Sequence, residues 1–206
     1  MAVFDADHRA ESLSARIALT FIESGRAALN SRTHLARKHD LPTLQASLLI
    51  QLHGTEGNGG TVGALADTLQ LTPPTISDSL KALVRKGYLT RRKSEEDGRV
   101  AYFRLTPKGK RTAEKLMAWA DPIEEVIASL DDKEQLNLLA TLTHLLYKQI
   151  EDGHNPAECM CVSCAFFEPV SWEERIFHCR LRDERIELPG LCTDCANHIT
   201  HAEAGV

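Results

Sequence analysis

Cysteine is missing from the first 158 residues of this 206-residue chain; all six cysteines fall between Cys159 and Cys195. Disulfide stapling is thereby excluded from the larger part of the chain, and the last fifty or so residues stand out as a module with its own chemistry. Long hydrophobic runs are missing too. None approaches the roughly 20 apolar residues of a membrane-spanning helix. The N-terminus, MAVFDADHRAESLS, has neither a basic start nor an apolar signal core. Export is therefore not expected, and the cytoplasm follows by default. In a reducing compartment, clustered cysteines argue for metal or redox work before structural disulfides. A phosphate-binding loop is also lacking. The segment GTEGNGG at 54–60 is rich in glycine but has no Gly-Lys-Ser/Thr ending, and reads as a connector. No general base and no cofactor-binding loop stands out, so catalysis is not expected.

What is present is an ordinary soluble composition, 43% hydrophobic and 26% charged, long enough to bury a full core and carry one domain plus an appendage. The charge is unevenly spread. Residues 72–111 hold eleven Lys and Arg against four Asp and Glu, a net of +7 inside a chain of net −5. A basic island in an acidic protein is an electrostatic footprint for a polyanion.

The island coincides with a local pattern. Thr72 is a good N-cap residue, and Pro73 suits the first helical position, where a missing amide proton costs nothing. Ile76, Leu80, Leu83 and Val84 repeat at helical spacing, so one face can dock on a core. The other face carries Thr75, Ser77, Asp78 and Lys81. Gly87 ends the helix. Two strand-like runs follow, Tyr88–Arg92 and Val100–Leu105, joined by a polar tip with the hairpin-favouring Asp97-Gly98 pair.

Upstream, Ser12 caps a long helix over residues 12–38, with Leu13, Ile17, Thr20, Phe21, Ser24 and Ala28 on one side. His34, Arg37, Lys38 and His39 give it a basic end that suits the helix dipole. Thr43 is expected to cap a second helix, 44–53, with Leu44, Leu48, Leu49 and Leu52 inward. Thr61 caps a third, 62–70. Two short helices with a tight turn, the second polar outside, make a helix-turn-helix, and the hairpin makes it winged. Downstream, a helix starts after Thr106-Pro107 and is interrupted at Pro122. A further helical stretch runs to Ser129. In the last long helix Leu136, Leu139, Thr143, Leu146 and Ile150 form a coiled-coil-like seam, with Leu138, Leu142 and Leu145 as a second stripe. One neighbour cannot satisfy so apolar a helix, and a subunit interface is expected.

From about residue 12 to 150 the chain resembles the MarR family (multiple antibiotic resistance regulators). The resemblance rests on LADTLQLTPPTISDSLKALVRKGYLTRR from Leu65, on the acidic tip with Asp97 and Arg99, and on FRLTPKGK. It implies a mainly α fold with a small β-wing, built as a dimeric winged helix-turn-helix regulator. The helix from Pro73 would enter the major groove and the wing the adjacent minor groove. Asp97 and Arg99 fit the family's wing pair, the Arg inserting and the Asp orienting it. Thr72, Thr75, Ser77, Asp78 and Lys81 match recognition-helix positions. Thr75 and Ser77 would contact phosphates or bases, and Lys81 a phosphate. Arg91 and Arg92 would hold the flanking backbone, while Asp78 also suits a structural pairing with a nearby cation. The organisation expected is an N-terminal dimerisation helix (1–40), the DNA-binding domain (41–110), C-terminal dimerisation helices (111–153) and a cysteine-rich metal-knuckle module (154–206). Partners would be double-stranded DNA, a second copy of the chain, and a small-molecule or redox signal.

The module departs from the simple family plan. Its cysteines run Cys159-x-Cys161-x2-Cys164, then Cys179, then Cys192-x2-Cys195. A Cys-x2-Cys turn puts both sulfurs on one side of a knuckle, as a tetrahedral site requires. Zinc and an iron–sulfur cluster take the same ligands, and the spacing leaves both open. The tail also resembles cysteine-rich tails of some MarR-like regulators, matching them at Cys161, Cys164, Phe166, Phe167, His178, Cys179, Asp194, Cys195 and His198. That resemblance ranks Cys161, Cys164, Cys179 and Cys195 as the ligands, with Cys192 and Cys159 as extras. Phe166, Phe167, Trp172 and Phe177 read as a small apolar shell. Two other readings of the tail are a thiol redox or electron-transfer unit and a zinc-stapled interaction module. Against the redox unit, a catalytic Cys-x-x-Cys commonly sits at a helix N-terminus.

Overall fold

The computed structural model describes residues 3–55, 59–93, 100–153 and 160–204. The chain forms two compact units, Met1–Asp67 with Leu71–Glu125, and Val126–Val206 with Thr68–Gln70.

The first unit opens with a short helix that the sequence reading does not include, α1 (Ala6–Glu11), capped by Asp5. Helix α2 (Leu13–Lys38) follows, with the Ser12 hydroxyl accepting from the Ala15 amide at 3.2 Å. Only Ala15 and Ala36 of its 26 residues are buried. Helix α3 (Thr43–Gly54) begins a residue earlier than expected. Pro42, not Thr43, holds the N-cap position, and the Thr43 hydroxyl turns to Thr33 at 3.5 Å. Leu48, Leu49 and Leu52 are buried as expected, whereas Leu44 is only half-buried. Helix α4 (Val62–Leu69) is capped by Thr61, whose hydroxyl accepts from Ala64 at 3.3 Å. Helix α5 (Pro73–Arg85) buries Ile76, Leu80 and Leu83 completely, each worth roughly 1.5–3 kcal/mol.

Gly87 ends α5 in the left-handed region at φ 75°. The Gly87 amide donates to Val84 O, and the Tyr88 amide reaches back to Leu83 O. Strands β1 (Leu89–Lys93) and β2 (Ala101–Leu105) pair antiparallel with Leu89 opposite Leu105. The glycine-rich connector adds to this wing. Gly60 bridges Phe103, with N–H···O bonds of 3.0 and 2.9 Å, and so extends the sheet by one residue pair. Helix α6 (Pro107–Met117), capped by Thr106, packs on α3. The core of this unit is Leu48, Leu49, Leu52, Leu65, Ile76, Leu80, Leu83, Leu89, Phe103, Ala113 and Leu116.

Helix α7 (Asp121–Ala128) carries Pro122 in its first turn. The second unit is dominated by α8 (Asp132–Glu151), which starts in a capping box between Asp131 and Glu134. The residues after Met160 form a three-stranded antiparallel sheet, β3 (Phe167–Ser171), β4 (Ile176–Cys179) and β5 (Glu184–Glu187), with a bulge at Pro169–Ser171. Phe177, Ile186 and Leu188 make its core. Ala140 of α8 packs into that core beside Phe167, Trp172, Cys179 and Leu191. The cysteine-rich segment thus shares a core with α8. Among the described residues, no helix is long and apolar enough to cross a membrane.

Candidate nucleic-acid interface and thiol cavity

Burying Ile76, Leu80 and Leu83 turns the opposite side of α5 outward. Thr72, Thr75, Asp78 and Lys81 are exposed there, and Ser77 is half-buried. Thr72 does not cap the helix with its side chain; its hydroxyl lies 2.8 Å from that of Thr75. Lys81 Nζ donates to Asp78 at 3.0 Å, so the structural pairing of Asp78 is realised. A phosphate approaching Lys81 would compete with that carboxylate.

Strand alternation divides the two wing arginines. Arg91 lies opposite Phe103, while Arg92 lies opposite Tyr102. Arg91 therefore shares its face with buried Leu89 and Phe103, on the side toward the helices, and Arg92 lies on the other face. Ser77, Lys81 and Arg91 line one open groove of about 450 Å³ with Thr61, Val62 and Gly63 at the start of α4. Arg92 does not reach it. Asp97 and Arg99 lie outside the described residues. Two further basic residues of the island serve the fold. Lys86 Nζ donates to the buried Gln45 side chain at 3.0 Å, and Lys108 Nζ donates to Lys86 O and sits 4.2 Å from the Tyr88 ring centre.

In the second unit Cys161 and Cys164 bracket one turn of 3-10 helix, closed by the Cys164 amide on Cys161 O at 3.0 Å. Cys179 ends β4. Cys195 lies on the final segment, which returns to the knuckle through the Ala165 amide on Ile199 O at 2.9 Å. Cys161, Cys164, Cys179 and Cys195 line one small cavity, about 20 Å³, walled by Phe167, Leu181 and Ile186. Cys192 does not line it. Its backbone brackets Cys161 instead, with the Cys192 amide donating to Cys161 Sγ at 3.2 Å and its carbonyl accepting from the Cys161 amide at 2.9 Å. The terminal Cys-x2-Cys pair is thus divided between the cavity and its surroundings. Cys159 lies outside the described residues.

Burial pushes the Cys161 thiol above its ordinary value, the Cys192 amide draws it down, and the neighbouring Cys192, Cys195 and Cys179 push it up. The Arg182 amide donates to Cys179 O at 3.2 Å, and the neighbouring Cys179 side chain is the first cause that raises the guanidinium's pKa. Among the described residues no three His, Cys, Asp or Glu side chains already stand as a group that could hold a metal ion; the four thiols surround the void without being drawn together on one point. His198 Nε2 lies 3.0 Å from the Ser163 hydroxyl, and His178 pairs with Asp183 at 3.1 Å, so each has a partner beside the cavity. Arg182 and the Cys192 backbone have no marker in the cysteine spacing; only the closed fold brings them to the sulfurs.

Residues 39–100 match the model of the MarR family. The matched segment takes in α3, α4, α5 and β1. The transcriptional regulator SarZ of Staphylococcus haemolyticus (strain JCSC1435) is 26% identical over 135 residues, which are 65% of this chain and 89% of SarZ. Two solved structures extend the likeness to three dimensions. The Staphylococcus aureus MepR–DNA complex is 25% identical, with a TM-score of 0.54 over 64% of this chain and 96% of MepR. Streptococcus pneumoniae FabT in complex with DNA is 26% identical, with a TM-score of 0.57 over 66% of this chain and 96% of FabT. In both matches about a third of this chain has no counterpart.

Proposed function

We propose that this protein is a cytoplasmic, homodimeric, DNA-binding transcription regulator whose C-terminal module holds a metal on cysteine thiolates. The observation that carries the DNA reading is the groove in which α4, α5 and the wing bring Ser77, Lys81 and Arg91 together inside the +7 island. A helix with an apolar inner face and a short polar outer face is what the major groove of B-DNA admits. MepR and FabT, which share this fold, were solved on DNA, and that supports the same partner here. Thr72, Thr75 and Ser77 would meet phosphates or base edges, Lys81 and Arg91 phosphates, and Arg92 the backbone on the wing's other face. The wing tip with Asp97 and Arg99 would enter the minor groove.

A mobility-shift titration of the full chain against genomic fragments at several salt concentrations tests this. Binding should weaken steeply with salt. Arg91→Ala should weaken it similarly on every sequence and flatten the salt slope by roughly one for each phosphate contact removed. A chain that ignores duplex DNA at low ionic strength, or an Arg91→Ala variant with an unchanged slope, would contradict the reading.

The thiol module supports the second half. Cys161, Cys164, Cys179 and Cys195 would hold zinc or an iron–sulfur cluster, with Cys192 alongside. A closed zinc–thiolate site contributes folding energy outright. Loss or oxidation of the thiolates would act as a metal or redox signal on α8, the helix that shares their core.

A further inference from the structure

We infer that Asp78 is the residue through which α5 reads sequence, its carboxylate accepting from the amino group of a cytosine on the floor of the major groove. This rests on the DNA-binding reading of α5 and narrows it to one base contact. Ile76, Leu80 and Leu83 are fully buried and fix the inward direction of the helix. At about 100° per residue, Asp78 points about 165° away from their mean direction, so it stands on the crest of the outer face. Its side chain is 79% exposed, against 61% for that of Lys81. Ser77 is half-buried to one side, and the Thr72 and Thr75 hydroxyls hold each other at 2.8 Å. Arg85 points nearly as far outward but lies in the last turn, whereas a helix seated in the groove offers its N-terminal residues to the base edges.

A carboxylate on that crest meets either a donor or a penalty. A helix with its side chains is about 10–12 Å across and the major groove about 12 Å wide, so the crest is pressed toward the base edges. An ionised carboxylate only accepts hydrogen bonds. Guanine offers it two acceptors, and thymine an acceptor and a methyl group. Adenine offers an amino group beside the N7 acceptor, and cytosine the N4 amino group alone. Cytosine is therefore the base that suits Asp78. The bond from Lys81 makes the choice two-sided. In the free chain Lys81 Nζ donates to Asp78 at 3.0 Å. Where cytosine is in place, the carboxylate passes to the base and Lys81 is released to a phosphate. Elsewhere Lys81 remains the donor to Asp78, so the phosphate contact is lost along with the base contact. The carboxylate thus weakens binding to unrelated DNA, where a neutral side chain would leave Lys81 free for any phosphate.

The test is selection from a random duplex library by the full chain, followed by affinity measurements on the selected site and its single-pair variants, for the parent, Asp78→Ala and Asp78→Asn. The parent should select a fixed C·G pair in each half-site. Replacing that pair by T·A should weaken its binding by about 5- to 150-fold, the range for one base contact. Asp78→Ala should lose the preference at that pair alone. It should also bind unrelated duplex more tightly, with a salt slope steeper by roughly one as Lys81 turns to a phosphate. Asp78→Asn should move the preference at that pair to adenine, whose N6 and N7 suit an asparagine amide. Circular dichroism checks that both variants fold. A folded variant that selects the parent's site pair for pair, or that binds no duplex at all, overturns the reading role of Asp78 while leaving DNA binding by the parent standing. The parent's own site decides even if a variant misfolds, since a site without a fixed C·G pair overturns that role as well. A parent that binds no duplex at low ionic strength overturns the DNA-binding reading itself.

Discussion

Gly109 occupies the first turn of α6 with no room for a side chain: a Cβ there would lie 2.1 Å from Tyr88 O. That oxygen accepts from the Thr106 amide at 2.9 Å and from the Thr106 hydroxyl at 3.1 Å, so it is held in place where the wing ends and α6 begins. Gly109→Ala should therefore destabilise the protein by about 1–3 kcal/mol, the usual cost of overpacking a tight contact. Gly25 is the opposite case. It lies inside α2 with nothing within 4 Å of a built Cβ, so Gly25→Ala should stabilise by up to about 1 kcal/mol through helix propensity. Urea denaturation of both variants checks the pair, and equal shifts of one sign would refute it. Caps show how far single residues are legible in a sequence. Ser12 and Thr61 accept the helix amides expected of them, and Thr106 accepts one not anticipated from the sequence. Thr72 accepts none: Pro74 removes the N2 amide that a cap could satisfy, and the Thr72 hydroxyl pairs with that of Thr75. Thr43 fails because it is itself the first helical residue, with Pro42 at the N-cap position.

At the scale of elements, helices α2 to α8 and the wing hairpin were legible because each contains its own signal, such as apolar residues at helical spacing, a proline start or a glycine stop, whereas α1 has no such apolar face. The β3–β5 sheet carried no such signal. Pro169 interrupts β3 beside a bulge, β5 reads Glu-Arg-Ile-Glu, and the strands owe their pairing to the core around Phe177. Likewise the aromatic residues could be read as an apolar shell, but their partner on α8 could not. Trp172 stacks on His144 with centroids 4.3 Å apart and meets Tyr147 at 5.2 Å. Phe167, a wall of the thiol cavity, meets Tyr147 at 5.8 Å. A change at the sulfurs thus has a short packed route to α8. In a Trp119→Phe background Trp172 is the remaining indole of the chain's two. Under the proposed metal reading, stripping metal from that variant with a chelator should shift and weaken Trp172 emission as the stack loosens, and Phe167→Ala should blunt the response. Identical emission with and without metal, in protein shown to bind it, would mean the cavity does not communicate with α8 along this route.

For the molecule as a whole, the decisive feature is apolar surface that one chain leaves in water. Leu13, Ile17 and Leu29 of α2 are 65%, 59% and 53% exposed, and Leu139, Leu142 and Leu145 of α8 are exposed at about two-fifths of their surface. A monomer gains nothing from such stripes at helical spacing, whereas in the proposed dimer a second copy would cover them and place two α5 helices on one duplex. The seam of leucines in α8 is the sequence feature on which the expected subunit interface rests, since coiled-coil spacing asks for a partner without saying which. Ile17→Glu combined with Leu142→Glu should therefore give a monomer by sedimentation, with an unchanged helical signal because both positions face solvent within one chain. Its DNA affinity should fall by at least about 100-fold, since two linked half-site contacts exceed one by factors of that order. The fall should occur although α5, Arg91 and the wing are untouched. A double variant that stays dimeric would move the interface elsewhere, and one that is monomeric yet binds as tightly as the parent would show that a single reading head suffices.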